Sequence, residues 1–294
     1  MHEFYRPSGH KTAAALAIIP AAAVASAILA PFYAALSLYI PLIYANTFLV
    51  AGYGALVGFV AGKTAKATIT LSPPLAGLLA LLGGWIGFAL SWACWLELFY
   101  EHGNGFANTS AEEVARFVLD PRLWIGILFD PEEFKYFVEP IYERGLWTIG
   151  KSNSVIRGLP LAGVWVVEFG IFSLSAGIAA STQAGYPYSA EAGAFLKVEP
   201  ELPRGAALPA EKSALDDVVR DILLAKLDYL ATAPQVERGE PGFYVTLRSH
   251  DGSPWGTADV TIVSKKGKKT EKRSLARYAL LPNNAMTAIR QRLG

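Results

Sequence analysis

One carboxylate, Glu168, lies inside a long apolar stretch of the sequence. A charged group in the apolar interior of a bilayer is costly, so such residues usually have a function. The four apolar stretches defined below contain no lysine, arginine or histidine, so we expect Glu168 to be protonated and hydrogen-bonded rather than ion-paired. The candidate partners by residue type are Tyr33, Tyr44, Asn46, Tyr53 and Ser91, of which we select Tyr44 and Asn46. A hydrogen bond between helices, proton or cation handling, and binding of a lipid or partner helix all remain open.

Glycines recur at helical spacing in three of these stretches. Intervals of four, and in the last stretch intervals of seven, place them on one helix face. The residues are Gly54, Gly58, Gly62, Gly83, Gly87, Gly163, Gly170 and Gly177. Small residues at such positions allow two helix backbones to approach closely. They predict packing between helices of this chain, a dimer contact or a glycine-lined path.

A basic cluster near the carboxyl end has Gly267 at its centre and contains Lys265, Lys266, Lys268 and Lys269. Such a cluster is typical of a solvated hairpin tip or of a surface that binds anionic lipid. The formal net charge of the whole chain is only +1, and we expect no nucleic acid as a partner.

Three common catalytic motifs are missing from the sequence. There is no HExxH, GxSxG or CxxC, and Cys94 is the only cysteine. We therefore predict no catalytic residues, no metal site and no cofactor, and we expect a protein that is not an enzyme.

The composition indicates that part of the chain lies in a membrane. Hydrophobic residues make up 52% of the sequence and charged residues only 17%, whereas soluble domains are about one quarter charged. Residues 12–62 carry no charge, and as one straight helix they would measure roughly 75 Å, more than twice the bilayer core. The pattern predicts four spans at about 12–35, 41–62, 75–96 and 159–180, the first three within residues 1–96.

Charges outside the spans predict the orientation. Arg6 and Lys11 precede the first span, and Lys63 and Lys66 follow the second without an acid, so both segments should be cytoplasmic. Residues 97–157 carry ten acids against six bases, whereas residues 181–294 carry sixteen bases against thirteen acids. Both termini should therefore be cytoplasmic, in a multi-pass protein of the inner (plasma) membrane.

Two parts outside the spans should be folded. The external segment 97–158 contains a capping box at Ser110 and Glu113, and Asp130 should cap an amphipathic helix that begins at Pro131. Residues 181–210 read as a linker. Residues 211–294 predict an α+β domain with one helix at about 215–230, strands near 243–247 and 260–262, and a final helix at about 284–293.

The chain resembles a group of uncharacterised bacterial four-span integral membrane proteins. The segments that carry the resemblance are 3–9 (EFYRPSG), 39–46 (YIPLIYAN) and Gly145, Leu146, Trp147 and Ile149. The resemblance covers roughly the first 180 residues and implies four spans in a bacterial inner membrane. Some members have cysteines after the last span, where this chain has residues 188–194 without cysteine.

The fold class expected from the sequence is membrane α, a four-helix transmembrane bundle with a helical external segment and a small α+β cytoplasmic domain. The leading functional hypothesis is a membrane-anchored scaffold or assembly subunit. Its partners would be the lipid bilayer and either a second copy or another protein bound by the cytoplasmic domain. The alternative is a small ion- or proton-coupled transporter or channel that uses Glu168, and a membrane enzyme ranks third.

Overall fold

The computed structural model describes most of the chain. The described residues are 4–39, 43–102, 112, 120, 122, 129–145, 147–148, 155–202, 204–224, 226–238, 240–266 and 269–293. They form two compact units, one of residues 8–185 and one that joins residues 1–7 to residues 186–294. The protein is mostly helical, with four long apolar helices and a small β-sheet region.

The four long helices make up most of the unit of residues 8–185. They are α1 (Ile18–Tyr39), α2 (Ile43–Ala67), α3 (Pro73–His102) and α5 (Leu159–Ala184). Among the described residues, these helices are long and apolar enough to cross a membrane. The four long helices alternate in direction along the chain. Helices α2 and α5 therefore begin at the end of the unit where α1 and α3 finish.

The helices extend beyond the apolar stretches predicted for them. The second ends at Ala67 rather than residue 62 because the backbone stays helical through Lys63 and Lys66. The third continues to His102, so residues 97–102 are helical. Charged residues end a hydropathy pattern, but they do not end a helix.

A shorter helix, α4 (Pro131–Arg144), lies at one end of this unit. The Asp130 side chain accepts hydrogen bonds from the backbone N–H groups of Glu132 and Glu133, as predicted for this cap. The apolar face of α4 packs against Leu96 of α3 and Leu161 of α5. A short ladder of β1 (Trp147–Thr148) and β2 (Val155–Ile156) precedes α5. The capping box predicted at Ser110 and Glu113 lies outside the described residues.

The other unit is built on an antiparallel sheet. Its central path is β10 (Lys269–Pro282), β9 (Trp255–Lys266), β8 (Gly242–Ser249), β6 (Arg204–Ala207) and β7 (Gln235–Glu237), and β5 (Lys197–Val198) also pairs with β8. Helices α6 (Lys212–Leu223), α7 (Asp228–Thr232) and α8 (Asn283–Leu293) contribute to the core on one face. A separate ladder pairs β3 (Tyr188–Ser189) with β4 (Ala194–Phe195).

The amino-terminal segment belongs to this sheet unit. Phe4 forms a β-bridge with Ala279 and packs against the core. The backbone N–H of Tyr5 donates to the carbonyl oxygen of Tyr278 at 2.8 Å, and the Tyr5 ring stacks on Trp255. These residues were predicted to belong with the first helices. A segment of seven residues is too short to show the alternation of apolar and polar residues that indicates a strand.

The predicted linker at 181–210 is also corrected. Residues 181–184 are the last turn of α5, and β6 lies inside the sheet, with Ala206 fully buried. Gly205 is small because a side chain there would meet the Tyr244 ring and the carbonyl oxygen of Phe243, each 3.0 Å from its Cβ position. The small residues that close packing in the sheet requires had been interpreted as the composition of a flexible linker.

The helix predicted at 215–230 is two helices. The first, α6, ends at Leu223, where the N–H groups of Leu224 and Lys226 bond back to the carbonyl oxygen of Asp221. The second, α7, begins at Asp228. The strands near 243–247 and 260–262 and the final helix are confirmed.

Candidate functional site

Glu168 is hydrogen-bonded to a polar residue of a neighbouring helix. It is the tenth residue of α5, and the amide Nδ2 of Asn46 on α2 donates to its carboxylate Oε1. Glu168 is half-buried, whereas Asn46 is only 5% exposed. Among the described residues, no lysine, arginine or histidine forms an ion pair with Glu168. Asn46 was among the partners chosen from residue type alone.

A third polar group adjoins this pair. Tyr33 of α1 interacts with the side chain of Asn46 and lies near the Glu168 carboxylate. The amide oxygen Oδ1 of Asn46 is buried and has no hydrogen-bond partner among the described residues. The cluster of Tyr33, Asn46 and Glu168, which we call the polar cluster, therefore has an unused oxygen acceptor and one carboxylate.

The polar cluster lies towards the end of the helices where α2 begins. Asn46 is the fourth residue of α2, so it lies about 4.5 Å along the helix axis from its first residue. Tyr33 lies about 9 Å from the last residue of α1, which is at the same end. Along α1 and α2 the cluster is therefore close to that end, whereas Glu168 lies about 13.5 Å along the axis from the first residue of α5.

Aromatic rings fill the space beyond the polar cluster. Tyr53 stacks on Tyr33 with their centroids 5.1 Å apart, and Phe172 lies 4.9 Å from both Tyr53 and Phe88. Tyr53, Phe88 and Phe172 are all buried. We call these three side chains the aromatic layer, and they close the middle of the helical unit.

The hydroxyl of Tyr53 joins three helices. It lies 2.8 Å from the hydroxyl oxygen of Ser26 on α1, and it can donate to the carbonyl oxygen of either Ser26 or Gly87. The Ser26 hydroxyl can also donate to the carbonyl oxygen of Gly84, at 3.2 Å. Because these groups satisfy one another, this part of the interior has a fixed geometry. Ser91, another predicted partner of Glu168, instead donates to the carbonyl oxygen of Phe88 in its own helix.

Most of the predicted glycines lie where helices meet. A methyl group at Gly54, Gly58 or Gly62 of α2 would collide with α5, and at Gly83 or Gly87 of α3 it would collide with α1. Gly177 makes ordinary contact with Leu81. Among the described residues, no atom of a neighbouring element lies within 4 Å of a Cβ position at Gly163 or Gly170, so helix packing at these two glycines stays a prediction.

Other predicted residues cannot be assigned contacts. The side chain of Tyr44 and those of Lys265, Lys266 and Lys269 lie outside the described part of the chain, as does all of Lys268. Strands β9 and β10 run to either side of this cluster, which agrees with the predicted hairpin. Among the described residues, no group of three histidine, cysteine, aspartate or glutamate side chains could hold a metal ion.

The sheet unit also contains a buried ion pair that was not predicted from the sequence. Arg248 Nη1 lies 2.8 Å from Asp259 Oδ2, and the guanidinium stacks over the rings of Tyr186 and Tyr278. Tyr278 has a φ of 56°, in a bulge of β10, and its N–H donates to Asp259. The ion pair thus stabilises the strained backbone at Tyr278, whose carbonyl oxygen accepts the hydrogen bond from the Tyr5 N–H. Alternation within β8 and β9 was the available signal, since both residues lie on the face opposite the apolar core.

No family model, curated protein or solved structure matches this chain. The function is therefore inferred from the two units and the polar cluster themselves.

Proposed function

We propose that this is an integral membrane protein whose four long helices form a transmembrane bundle, and that it acts as a membrane-anchored scaffold or assembly subunit. In this proposal the sheet unit lies in the cytoplasm, as do both termini, and the membrane is a bacterial inner membrane. The external segment, including α4, lies on the other side of the membrane.

The docking of the amino-terminal segment on the sheet carries this proposal. Phe4 and Tyr5 pair with β10, which supports a location of both terminal segments on the same side of the bilayer. An even number of spans is consistent with that location. Two chain segments, residues 8–12 and Gly185, then join the sheet unit to the helices. A domain connected in this way suits a protein that holds a bound partner at the membrane.

Basic residues support the cytoplasmic assignment of that side. Lys11 precedes α1, and Lys63 and Lys66 belong to the last turns of α2, which is the same end of the helical unit. The backbone pairing between Gly9, His10 and Leu71 lies there too. Lysines gathered at one end of the spans favour a cytoplasmic location.

Close packing of the helices supports a structural role. Backbones meet at Gly58 and Gly83, and the aromatic layer closes the interior. A continuous path for a solute would require these contacts to open. The alternative function, an ion- or proton-coupled transporter, is favoured by one observation, the hydrogen-bonded carboxylate of Glu168 among apolar helices.

The scaffold role is tested by crosslinking in membranes followed by purification of the full chain. We expect a partner protein, or a second copy, to be recovered in a fixed ratio to the chain. A variant with Phe4→Asp, which should release the amino-terminal segment from the sheet, should reduce that recovery, whereas Arg6→Ala at an exposed neighbour should not. Recovery of the chain alone would contradict the scaffold role.

The transporter alternative is tested in liposomes that contain the purified protein. Under this alternative an ion or proton gradient dissipates faster than in empty liposomes, and Glu168→Gln abolishes the difference. Equal rates for the protein, the variant and empty liposomes would contradict transport.

A further inference from the structure

We propose that Glu168, Asn46 and Tyr33 form a binding site for one monovalent cation, a proton or an alkali metal ion, which enters from the end of the helices where α2 begins. This inference rests on the helices spanning a bilayer, and it does not depend on the scaffold role. It assigns the polar cluster a ligand and a direction of access.

The charge of the cluster calls for one positive partner. Glu168 is a carboxylate with no ion-pair partner among the described residues. An uncompensated charge among apolar helices is costly, and one bound cation neutralises it. A divalent ion would leave an excess positive charge in the same surroundings. The site therefore favours a single positive charge.

The atoms of the cluster suit that ligand. Carboxylate and amide oxygens are ligands that hard cations prefer. Asn46 Oδ1 is buried without a hydrogen-bond partner among the described residues, so it is available as a ligand. Rotation of the amide exchanges its oxygen and nitrogen, so Asn46 can also accept a hydrogen bond from protonated Glu168. In that case a hydronium ion gives its proton to the carboxylate oxygen and leaves as water.

Access is from one side. Asn46 lies in the first turn of α2, whereas the aromatic layer of Tyr53, Phe88 and Phe172 lies deeper along the helices. A cation that reaches Glu168 therefore stops at these rings. The geometry therefore favours entry from the end where α2 begins, and the aromatic layer separates the site from the other end of the helices.

Glu168 is the group expected to respond to pH in this site. Among the described residues, Tyr33 of α1 lies near its carboxylate and Tyr53 of α2 stacks on Tyr33, while α3 contributes the rings of Phe88 and Trp92 to the same apolar cluster. Phenols ordinarily ionise near about pH 10, so a response at lower pH is assigned to the carboxyl.

The test measures the melting temperature of the full chain in lipid nanodiscs. Sodium, potassium and choline chloride are compared at equal ionic strength, between about pH 5 and pH 9. We expect a rise of roughly 3–5 °C for each tenfold excess of cation over its dissociation constant. If the ligand is an alkali ion, sodium or potassium raises the melting temperature and choline does not. If the ligand is a proton, lowering the pH raises the melting temperature without either metal ion.

Glu168→Gln is the deciding variant because its side chain has nearly the same shape and can still hydrogen-bond to Asn46. We expect it to lose both responses, whereas Glu139→Gln, at an exposed position of α4, keeps the wild-type response. A wild-type protein that responds to neither metal ion nor pH would overturn the proposal. A response that persists unchanged in Glu168→Gln would overturn it as well.

A second measurement uses the wild-type protein alone, so it does not depend on how the variant folds. A hydrophobic carbodiimide modifies protonated carboxyl groups, and mass spectrometry reports the modified fraction of Glu168. We expect labelling to fall severalfold as the pH rises or as sodium is added. Constant labelling under all these conditions would overturn the site, while the crosslinking result for the scaffold would stand unaffected.

Discussion

Glu199 and Arg290 illustrate how single residues hold the sheet unit together. Arg290 Nε on α8 donates to Glu199 Oε2 at 2.7 Å, and the Ser249 hydroxyl donates to the same carboxylate. The bond to Arg290 connects segments that are 91 residues apart in the chain, and the bond to Ser249 connects segments that are 50 residues apart. The Arg290 guanidinium holds the pKa of Glu199 below its usual range, despite partial burial that acts in the opposite direction.

Glu199→Gln should therefore destabilise the sheet unit at neutral pH. Because the folded pKa is below the unfolded one, the carboxylate stabilises the fold above the ordinary carboxyl range, and this contribution disappears as the pH falls. We expect a loss of about 1 kcal/mol at pH 7, allowing for the partial exposure of the pair, and a difference that shrinks below about pH 4. The measurement is urea-dependent proteolysis of the sheet unit in the full chain.

Glu201→Gln is the matched control. Glu201 pairs with Arg238, but both side chains are more than 60% exposed, so the expected change is within about 0.5 kcal/mol at either pH. Equal losses in the two variants at pH 7 would show that burial of the Glu199 pair contributes nothing.

For single residues, the sequence showed which charged side chain lies in an apolar stretch, but it did not show which residue each charged side chain pairs with. Glu168 was identifiable because a carboxyl interrupts an apolar stretch, and Asn46 was one of several candidates. Arg248 and Asp259 were not identified, since their pairing depends on the register between β8 and β9. That register is set by contacts across the sheet and leaves no mark at either residue alone.

The long helices meet through glycines on particular faces, and this determines how closely their backbones approach. Spacing in the sequence predicted which residues share a face, but it could not tell an occupied face from an open one. Gly58 lies against the backbone of Ala176, whereas Gly163 has open space around its Cβ position. Only the arrangement of α2 and α5 distinguishes the two.

Alanine at these two positions should have opposite consequences. Gly58→Ala forces α2 away from α5 and should cost about 1–3 kcal/mol. Gly163→Ala adds a methyl group in open space and slightly favours the helix, so its effect should lie within about 0.5 kcal/mol or be stabilising. Melting temperatures in nanodiscs measure both changes. Equal destabilisation by the two substitutions would contradict the observed helix contacts.

The amino-terminal segment is the element whose position the sequence did not predict. Phe4→Ala should expose the sheet unit to protease, because the ring packs on its core, with a loss of about 1–3 kcal/mol. Arg6→Ala, at an exposed residue of the same segment, should leave protease resistance unchanged. If both variants matched the wild-type chain, docking of this segment would contribute nothing to stability.

At the scale of the whole molecule, four apolar helices and one sheet unit account for nearly all described residues. Charge and hydropathy predicted the number and approximate position of the long helices. They did not reveal that the chain's two ends form one unit, because that depends on the pairing of Tyr5 with Tyr278. The division into long apolar helices and a sheet unit was thus partly predictable, and the pairing of the amino-terminal segment with β10 was not.

The most direct test of a membrane protein with both termini on one side is labelling of introduced cysteines with a membrane-impermeant maleimide. Cys94 is buried, so the parent chain should remain unlabelled and provides the control. The test positions Ser8→Cys, Glu139→Cys and Glu240→Cys are all exposed.

In intact spheroplasts we predict labelling of Glu139→Cys alone, with Ser8→Cys and Glu240→Cys labelled only after the membrane is permeabilised. Labelling of Ser8→Cys and Glu240→Cys from opposite sides, or of all three positions from the same side, would contradict the account.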